Sequence, residues 1–343
     1  MLTERQNTIL QIIIQEYTNS GVPVGSKFLA NKLANKVSSA TVRNEMAVLE
    51  QMGLISKTHF SSGRVPSIEG YRYYIDNLLR PDPLDTNDAD FIRTSFDTNF
   101  NQIDEIVQES AKVLSDLTSY TALTINPDQG KNLSLGRFQL VKLDERQVMA
   151  ILVTDTGQVE NKIFQLDYAP ADELRIIVNI VNDQLVGHLL PEVYRKLNVE
   201  LPIILSRYLK SPDRILDTLS EMLNNISQDH IFVGGKLNLL QFSENQDIKY
   251  LKPLYHLLDN GNDMFDSLKD NNGSDVQVKI GSELSNELLK NYSIITGKYD
   301  LQEYGHGLIA VLGPTRMPYS KVIGIVEAMK NEMTKKILGY YGK

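Results

Sequence analysis

The stretch Ser38–Ile55 reads SSATVRNEMAVLEQMGLI. Ser38 or Ser39 can cap a helix, since a hydroxyl accepts from the orphan amides of a first turn. At 100° per residue, Val42, Met46 and Leu49 fall on a narrow apolar seam. The opposite face carries Ala40, Asn44, Ala47 and Gln51, with Arg43 on its shoulder and Glu45 and Glu50 beside the seam. Gly53 ends the helix and Leu54–Ile55 resume as a strand. A DNA major groove asks for such an outward face. Small residues permit close approach, an amide pairs with adenine, Arg pairs with guanine, and a carboxylate would repel phosphate. For the helix in isolation, a solvated face that lacks acids by chance explains the pattern equally.

Working outward, LTERQNTILQIIIQEYTNSG (2–21) opens with Thr3 and Gln6 at capping-box spacing. Ile9, Ile12, Ile13 and Tyr17 share a face that Leu10 and Ile14 broaden, and Gly21 and Pro23 end the helix. GSKFLANKL (25–33) is a short second helix with Ser26 as its N-cap, followed by a tight connection through Asn35 to Val37. Downstream, LISKTHF (54–60) reads as a strand, SSGRVPS (61–67) as a turn carrying Arg64, and IEGYRYYIDNLL (68–79) as another helix. Three helices and a basic-tipped hairpin make a winged helix-turn-helix, whose third helix enters the major groove while the wing reaches the backbone or minor groove. Ser39, Ala40, Arg43, Asn44 and Ala47 are the expected base readers. Ser26, Lys27, Ser38, Thr41, Lys57, His59, Ser61, Ser62 and Arg64 are the expected backbone and wing contacts.

The charge balance agrees. Residues 1–80 hold nine Lys and Arg against six Asp and Glu, a net +3, so the remaining chain carries −11 of the total −8. A basic head on an acidic body is expected where only the head meets a polyanion. The chain has no cysteine, which removes disulfides and thiolate metal sites and suits a reducing compartment. MLTERQNTILQ (1–11) lacks the features of a signal peptide, and no run approaches the roughly 18 apolar residues of a membrane span. A cytoplasmic protein without a membrane partner is expected.

SSATVRNEMAVLEQMGLI followed by HFSSGRVPSIEGYRYYID (59–76) resembles the N-terminal region of the HrcA family of bacterial heat-inducible transcription repressors. GGKLNLL (234–240) and GLIAVLGPTRMPYSKVIGIVEAM (307–329) extend the resemblance over nearly the whole chain. It implies a homodimeric repressor of chaperone operons that binds an inverted-repeat operator, called CIRCE in this family. It also implies activity maintained by the chaperonin GroEL and lost on heat stress.

RPDPLDTNDAD (80–90) reads as a linker and 91–118 as amphipathic helix. SLGRFQLVKLDERQVMAILVTDTGQVENKIFQLDY (134–168) holds three strand-like runs. Strand signals return at VQVKIGSE, YSIITGKYD and GLIAVLGP, before a final amphipathic helix. Strands at both ends of a helical stretch suggest an α+β domain interrupted by an insertion. The resemblance implies a GAF-like α/β domain split by an inserted dimerising domain. The expected division is a winged-helix domain over 1–80, a GAF-like domain with its linker over 81–167 and 269–343, and the insertion over 168–268. Within the insertion, DELRIIVNIVNDQLVGHLL (172–190) carries Ile176, Ile177, Ile180, Val181, Leu185 and Leu189 around much of its circumference. Burial inside its own domain explains them, as does burial in a dimer interface, and the resemblance favours the second.

No catalytic constellation is visible. GVPVGSK (21–27) is one residue short of a phosphate loop and has Ser where the Lys belongs. His59, His188, His230, His256 and His306 lack metal-ligand spacing, Asp144 and Glu145 read as turn residues, and Gly305–Gly307 reads as a turn. No cofactor is expected. A regulator that senses a small metabolite in the GAF-like domain is the alternative function.

Overall fold

The computed structural model describes residues 2–33, 37–58, 63–125, 133–166, 170–208, 212–227, 231–239, 248–259, 276–302 and 305–341. The head begins with α1 (Glu4–Ser20), closed by the Thr3–Gln6 capping box and ended at Gly21 in the left-handed conformation. Its Ile9, Leu10, Ile13 and Ile14 are buried, and Ile12 and Tyr17 pack beside them. α2 (Ser26–Lys32) is capped by the Gly25 backbone without a side-chain bond, so Ser26 is the first helical residue and not the expected cap. α3 (Ser39–Gln51) buries the expected seam of Val42, Met46 and Leu49, and the Ser38 hydroxyl accepts from the Thr41 amide at 3.1 Å. β1 (Ile55–Lys57) and β2 (Arg64–Pro66) form the antiparallel wing. α4 (Ile68–Asn77) follows, capped by Ser67, whose hydroxyl accepts from the Gly70 amide at 2.9 Å.

The body is built on a five-stranded antiparallel sheet whose strands, in spatial order, are Ile231–Gly234, Thr121–Ile125, His306–Pro314, Tyr292–Asp300 and Val276–Ile280. In chain order these are β3 (Thr121–Ile125), β7 (Ile231–Gly234), β8 (Val276–Ile280), β9 (Tyr292–Asp300) and β10 (His306–Pro314). Alternation sends Ile309 and Val311 to one face and Ala310 and Leu312 to the other. The first face packs on α6 (Ile103–Thr118) and on the long helix Tyr319–Tyr341. The second is covered by Leu254, Leu257 and Leu258 of the helix Ile248–Asp259, together with Leu284 and Leu289. This layering is consistent with the GAF-like expectation. Buried Tyr299 on β9 donates its hydroxyl to the Ile125 carbonyl on β3 at 2.9 Å, spanning β10. Asp85 caps α5 (Thr86–Phe96), accepting from the Asp88 amide at 2.8 Å, so the linker expected over 80–90 lies instead over 78–85, between the end of α4 and this helix.

The three strand-like runs of 134–168 do form strands, β4 (Leu135–Lys142), β5 (Gln147–Thr154) and β6 (Val159–Gln165), but in a sheet of their own. Phe138, Val148, Ala150 and Leu152 on its inner face share an apolar core with α7 (Ala171–Leu185), α8 (Leu190–Val199), α9 (Leu201–Leu205) and α10 (Asp213–Ser227). The Asn182 amide fastens α7 to β4, donating to the Phe138 carbonyl and accepting from its amide, both at 2.9 Å. The insertion therefore lies between β3 and β7, and not over the expected 168–268. β4–β6 belong inside it, and β7 belongs to the sheet outside it. Strand character is local, whereas membership of a sheet depends on which distant face the strands bury.

Head and body are joined by one continuous apolar core that runs from Ile9 and Leu49 to Met329 and Ile337. The Tyr71 and Tyr319 rings meet across the joint with centroids 5.7 Å apart. Gly21 takes the left-handed conformation, φ +66°, which glycine adopts without strain, and a Cβ there would displace the flexible end of the Arg316 side chain.

Phe138→Ala is expected to destabilise the inserted unit by about 3–5 kcal/mol, the usual range for emptying a well-packed aromatic site. Denaturant unfolding measures this, and a loss below about 1 kcal/mol would contradict its central place in that core.

Candidate nucleic-acid interface

The outward face of α3 is open. Ala40, Arg43 and Asn44 are exposed, and Ser39, Thr41 and Ala47 are half-buried. No protein partner engages the Arg43 or Asn44 side chain among the described residues, so both remain available to a base edge. Val48 also stands out at 38% exposure, an apolar side chain one turn beyond Asn44 that sequence reasoning did not single out.

The two acids of α3 are withdrawn to its flanks. Glu45 accepts from Gln6 Nε2 at 2.9 Å and pairs with Arg5 at 3.4 Å, both from the start of α1. Glu50 accepts from Arg64 Nη2 at 2.7 Å and Nε at 3.1 Å, with Lys57 Nζ at 3.9 Å from its other oxygen. Each carboxylate thus serves as a tether between α3 and a neighbouring element.

Arg64 consequently sits elsewhere than a free wing tip would. Its side chain is only 11% exposed and turns back onto α3. Its backbone exchanges two hydrogen bonds with Val24, both at 2.9 Å, which adds the α1–α2 connection to the wing sheet. Gly63 passes so close to Pro23 that a Cβ would meet its backbone at 2.8 Å. Lys57 keeps 61% of its side chain exposed, and Lys27 is exposed on the first turn of α2. Ser26 is half-buried, while the hydroxyls of Ser38 and Thr41 lie 2.9 Å apart. His59, Ser61 and Ser62 lie outside the described residues.

Two further residues hold the wing to its helices. The Ser67 hydroxyl donates to the Gly53 carbonyl at 2.5 Å while capping α4. Gly70 lets α4 approach β1, since a Cβ there would lie 2.0 Å from the Leu54 carbonyl oxygen. Ser67 directly before a helical run is a local N-cap signal that marks the helix start. The Glu50–Arg64 tether carries no such local signal.

Residues 1–76 match the family profile described as winged helix-turn-helix transcription repressor, HrcA DNA-binding, and residues 104–323 match the HrcA protein C terminal domain. The chain belongs to the HrcA family of heat-inducible transcription repressors. A heat-inducible transcription repressor HrcA of Limosilactobacillus reuteri is 50% identical over 99% of this chain and 98% of its own length. Those of Pediococcus pentosaceus and Enterococcus faecalis are 47% and 45% identical over 99% of this chain. A crystal structure titled as a hypothetical protein at 2.2 Å resolution shares the fold, with a TM-score of 0.66 and 20% identity over 99% of this chain. HrcA proteins are thus DNA-binding repressors and not an enzyme class. Among the described residues, no helix is long and apolar enough to cross a membrane, and no three His, Cys, Asp or Glu side chains cluster as metal ligands.

The six side chains expected at an HrcA dimer interface divide. Ile177, Val181 and Leu185 are at most 1% exposed and fill the inserted unit's own core, with Ile180 packed beside them. Only Ile176 and Leu189 face outward. Helical periodicity located the apolar arc of α7 but not the surface that covers it. The inserted unit shows another apolar surface, the outer face of β4–β6. There the register sets Met149 between Val141 and Ile163, and Val153 beside Val159.

Removing Glu50 or Arg64 singly is expected to destabilise the head, and the double variant is expected to be far less unstable than the sum. Coupling within one ion pair typically falls at about 0.5–3 kcal/mol. Additive losses in a thermal-unfolding cycle would show that the tether contributes nothing.

Proposed function

We propose that this HrcA protein is a homodimer that represses chaperone operons by binding the two halves of an inverted repeat, the CIRCE operator of its family. The observation that carries the reading is the α3 face: Arg43 and Asn44 open to solvent, Ala40 and Ala47 beside them, and both acids of the helix tied back. Arg43 and Asn44 read bases, and Ser39, Ala40 and Ala47 permit close approach. Lys27, Lys57, Ser26, Ser38 and Thr41 lie against the backbone, and His59, Ser61 and Ser62, outside the described residues, are proposed as further contacts from the sequence alone. Arg64 contributes by holding the wing in place.

Two heads on one DNA face require a two-fold partner with half-sites separated by whole helical turns. The outer face of β4–β6 is the surface proposed for that partner. Among the described residues its side chains Val141, Met149, Ile151, Val153, Val159 and Ile163 are interspersed with the amides Gln139, Gln147, Asn161 and Gln165 and with a single charge, Arg137. Interface cores are likewise depleted of charge. An antiparallel sheet face can also meet its own copy about a two-fold axis.

The topology supports a dependence on a chaperonin, which the family resemblance names as GroEL. β3 pairs with β7 across the whole insertion and with β10 near the far end of the chain. Such long-range pairing folds slowly and exposes apolar surface meanwhile. Heat would divert the chaperonin to other unfolded chains and leave the repressor inactive.

Fluorescence anisotropy with the inverted repeat and a scrambled duplex, across salt concentrations, tests the DNA reading. Arg43→Ala is expected to lose about 1–3 kcal/mol and to relax specificity at one position. Lys57→Ala is expected to weaken all sequences and to flatten the salt slope by about one. Unchanged discrimination in Arg43→Ala would overturn its assignment. Ile163→Glu is expected to sediment as a monomer that retains half-site binding, and a persistent dimer would move the interface elsewhere. Refolding should yield more operator-binding protein with chaperonin present, and equal yields would refute the dependence.

A further inference from the structure

We propose that Arg72 and Glu283 make the body a ruler for operator spacing: by locking the reading head to the sheet, they fix the half-site separation that the dimer accepts. The inference rests on the dimer reading above and adds to it the residues that set spacing specificity. Both act as positioning residues and neither touches DNA.

Arg72 lies on α4, just beyond the wing, and its guanidinium crosses from head to body. Nε donates to Glu283 Oε1 at 2.8 Å and Nη2 donates to Glu283 Oε2. Nη2 also donates to the Val278 carbonyl on β8 at 2.5 Å, and Nη1 donates to Asp76 at 3.1 Å. Glu283 is anchored in turn, since Oε2 accepts from the Ile280 amide at the end of β8 at 2.8 Å. A planar fork held at two carboxylate oxygens fixes direction as well as distance. Burial disfavours the Arg72 charge, but its bonds to Glu283 and Asp76 outweigh this and its pKa is raised.

Neighbouring contacts narrow the swing that the Arg72–Glu283 fork stops. Ile68 on α4 lies against Gly281, where a Cβ would meet its Cδ1 at 2.8 Å. Tyr71, the neighbour of Arg72, packs against Tyr319 with the rings tilted by 56°. The short linker is itself pinned: Ser320 donates its hydroxyl to the Arg80 carbonyl and accepts from the Asp82 amide through its own carbonyl at 3.3 Å. A Cβ at Gly324 would also strike the Asp82 carbonyl at 2.6 Å. From α3 the path to the sheet runs through Ser67 and Gly70 to α4, and through Arg72 to β8. A displacement of the recognition helix must therefore break packed contacts instead of bending a loop.

One base pair added between half-sites turns one of them by about 34–36° around the duplex and moves it by about 3.4 Å. Heads on flexible linkers absorb such a change, whereas heads locked to a sheet whose long helix is tied in turn to the inserted unit, through Tyr340 and the Thr156 carbonyl at 3.3 Å, cannot. The ligand property read by this joint is thus the phase between two half-sites on double-stranded DNA.

The test uses operators whose spacer is shortened or lengthened by one to three base pairs, with full-length wild type, Glu283→Gln, Arg72→Lys and the charge-swapped pair Arg72→Glu with Glu283→Arg. Sedimentation and thermal unfolding are recorded for each. Wild type is expected to lose affinity on the order of tenfold at the first displaced spacing, comparable to a mismatched base pair. Glu283→Gln and Arg72→Lys are expected to flatten that profile while binding an isolated half-site as wild type does, and the swapped pair to restore part of it. A dimeric wild type indifferent to spacing would overturn the ruler. So would a Glu283→Gln profile parallel to wild type, or one lowered equally at every spacing together with half-site affinity. A wild type that sediments as a monomer would refute the dimer reading, and the ruler with it.

Discussion

The pairing of β3 with β7 on one side and β10 on the other is the constraint on which the rest of the molecule depends. It closes a sheet around an insertion that carries its own sheet, helices and core. Once closed, the sheet offers two faces. One takes the helix Ile248–Asp259, and the other takes α6 and the long helix Tyr319–Tyr341, whose beginning supports the DNA-binding head. The insertion is thereby held to the body through both of its chain connections, and the head through a packed joint.

Electrostatics is organised by the same economy of contacts. An acidic protein that must approach a polyanion needs its reading surface free of carboxylates, yet α3 contains two. Glu45 is held by α1 and Glu50 by the wing, so each negative charge is neutralised locally and fastens the helix to the head. Arg64 illustrates the trade. A residue that would supply a generic phosphate contact is turned inward to set the angle between wing and recognition helix, and the outward positive charge is left to Arg43, Lys27 and Lys57.

Much of the head was legible because its signals are local. The Thr3–Gln6 box, the Gly21 stop, the Ser38 cap and the Val42, Met46, Leu49 seam all depend on residues within a turn or two of one another. The three strands at 134–168 were equally legible as strands. What escaped was partnership. Alternating residues such as Val148, Ala150 and Leu152 announce a buried face, but nothing in their spacing says that the face meets α7 and α10 and not the larger sheet. For the same reason the spacing of Ile177, Val181 and Leu185 left core and interface both open, and only their burial inside the inserted unit places them in its core.

The sequence by itself determined the helical and strand periods, the caps, the acid-poor face of α3 and the family, since these are properties of short windows and of recurring motifs. Only the tertiary structure decided which sheet each strand joins, where the insertion begins and ends, that Arg64 answers Glu50, and that Arg72 reaches Glu283. The residues of each such pair are far apart in the chain or project from different elements. Their meeting is settled by which apolar faces can be buried together, and no local pattern records that.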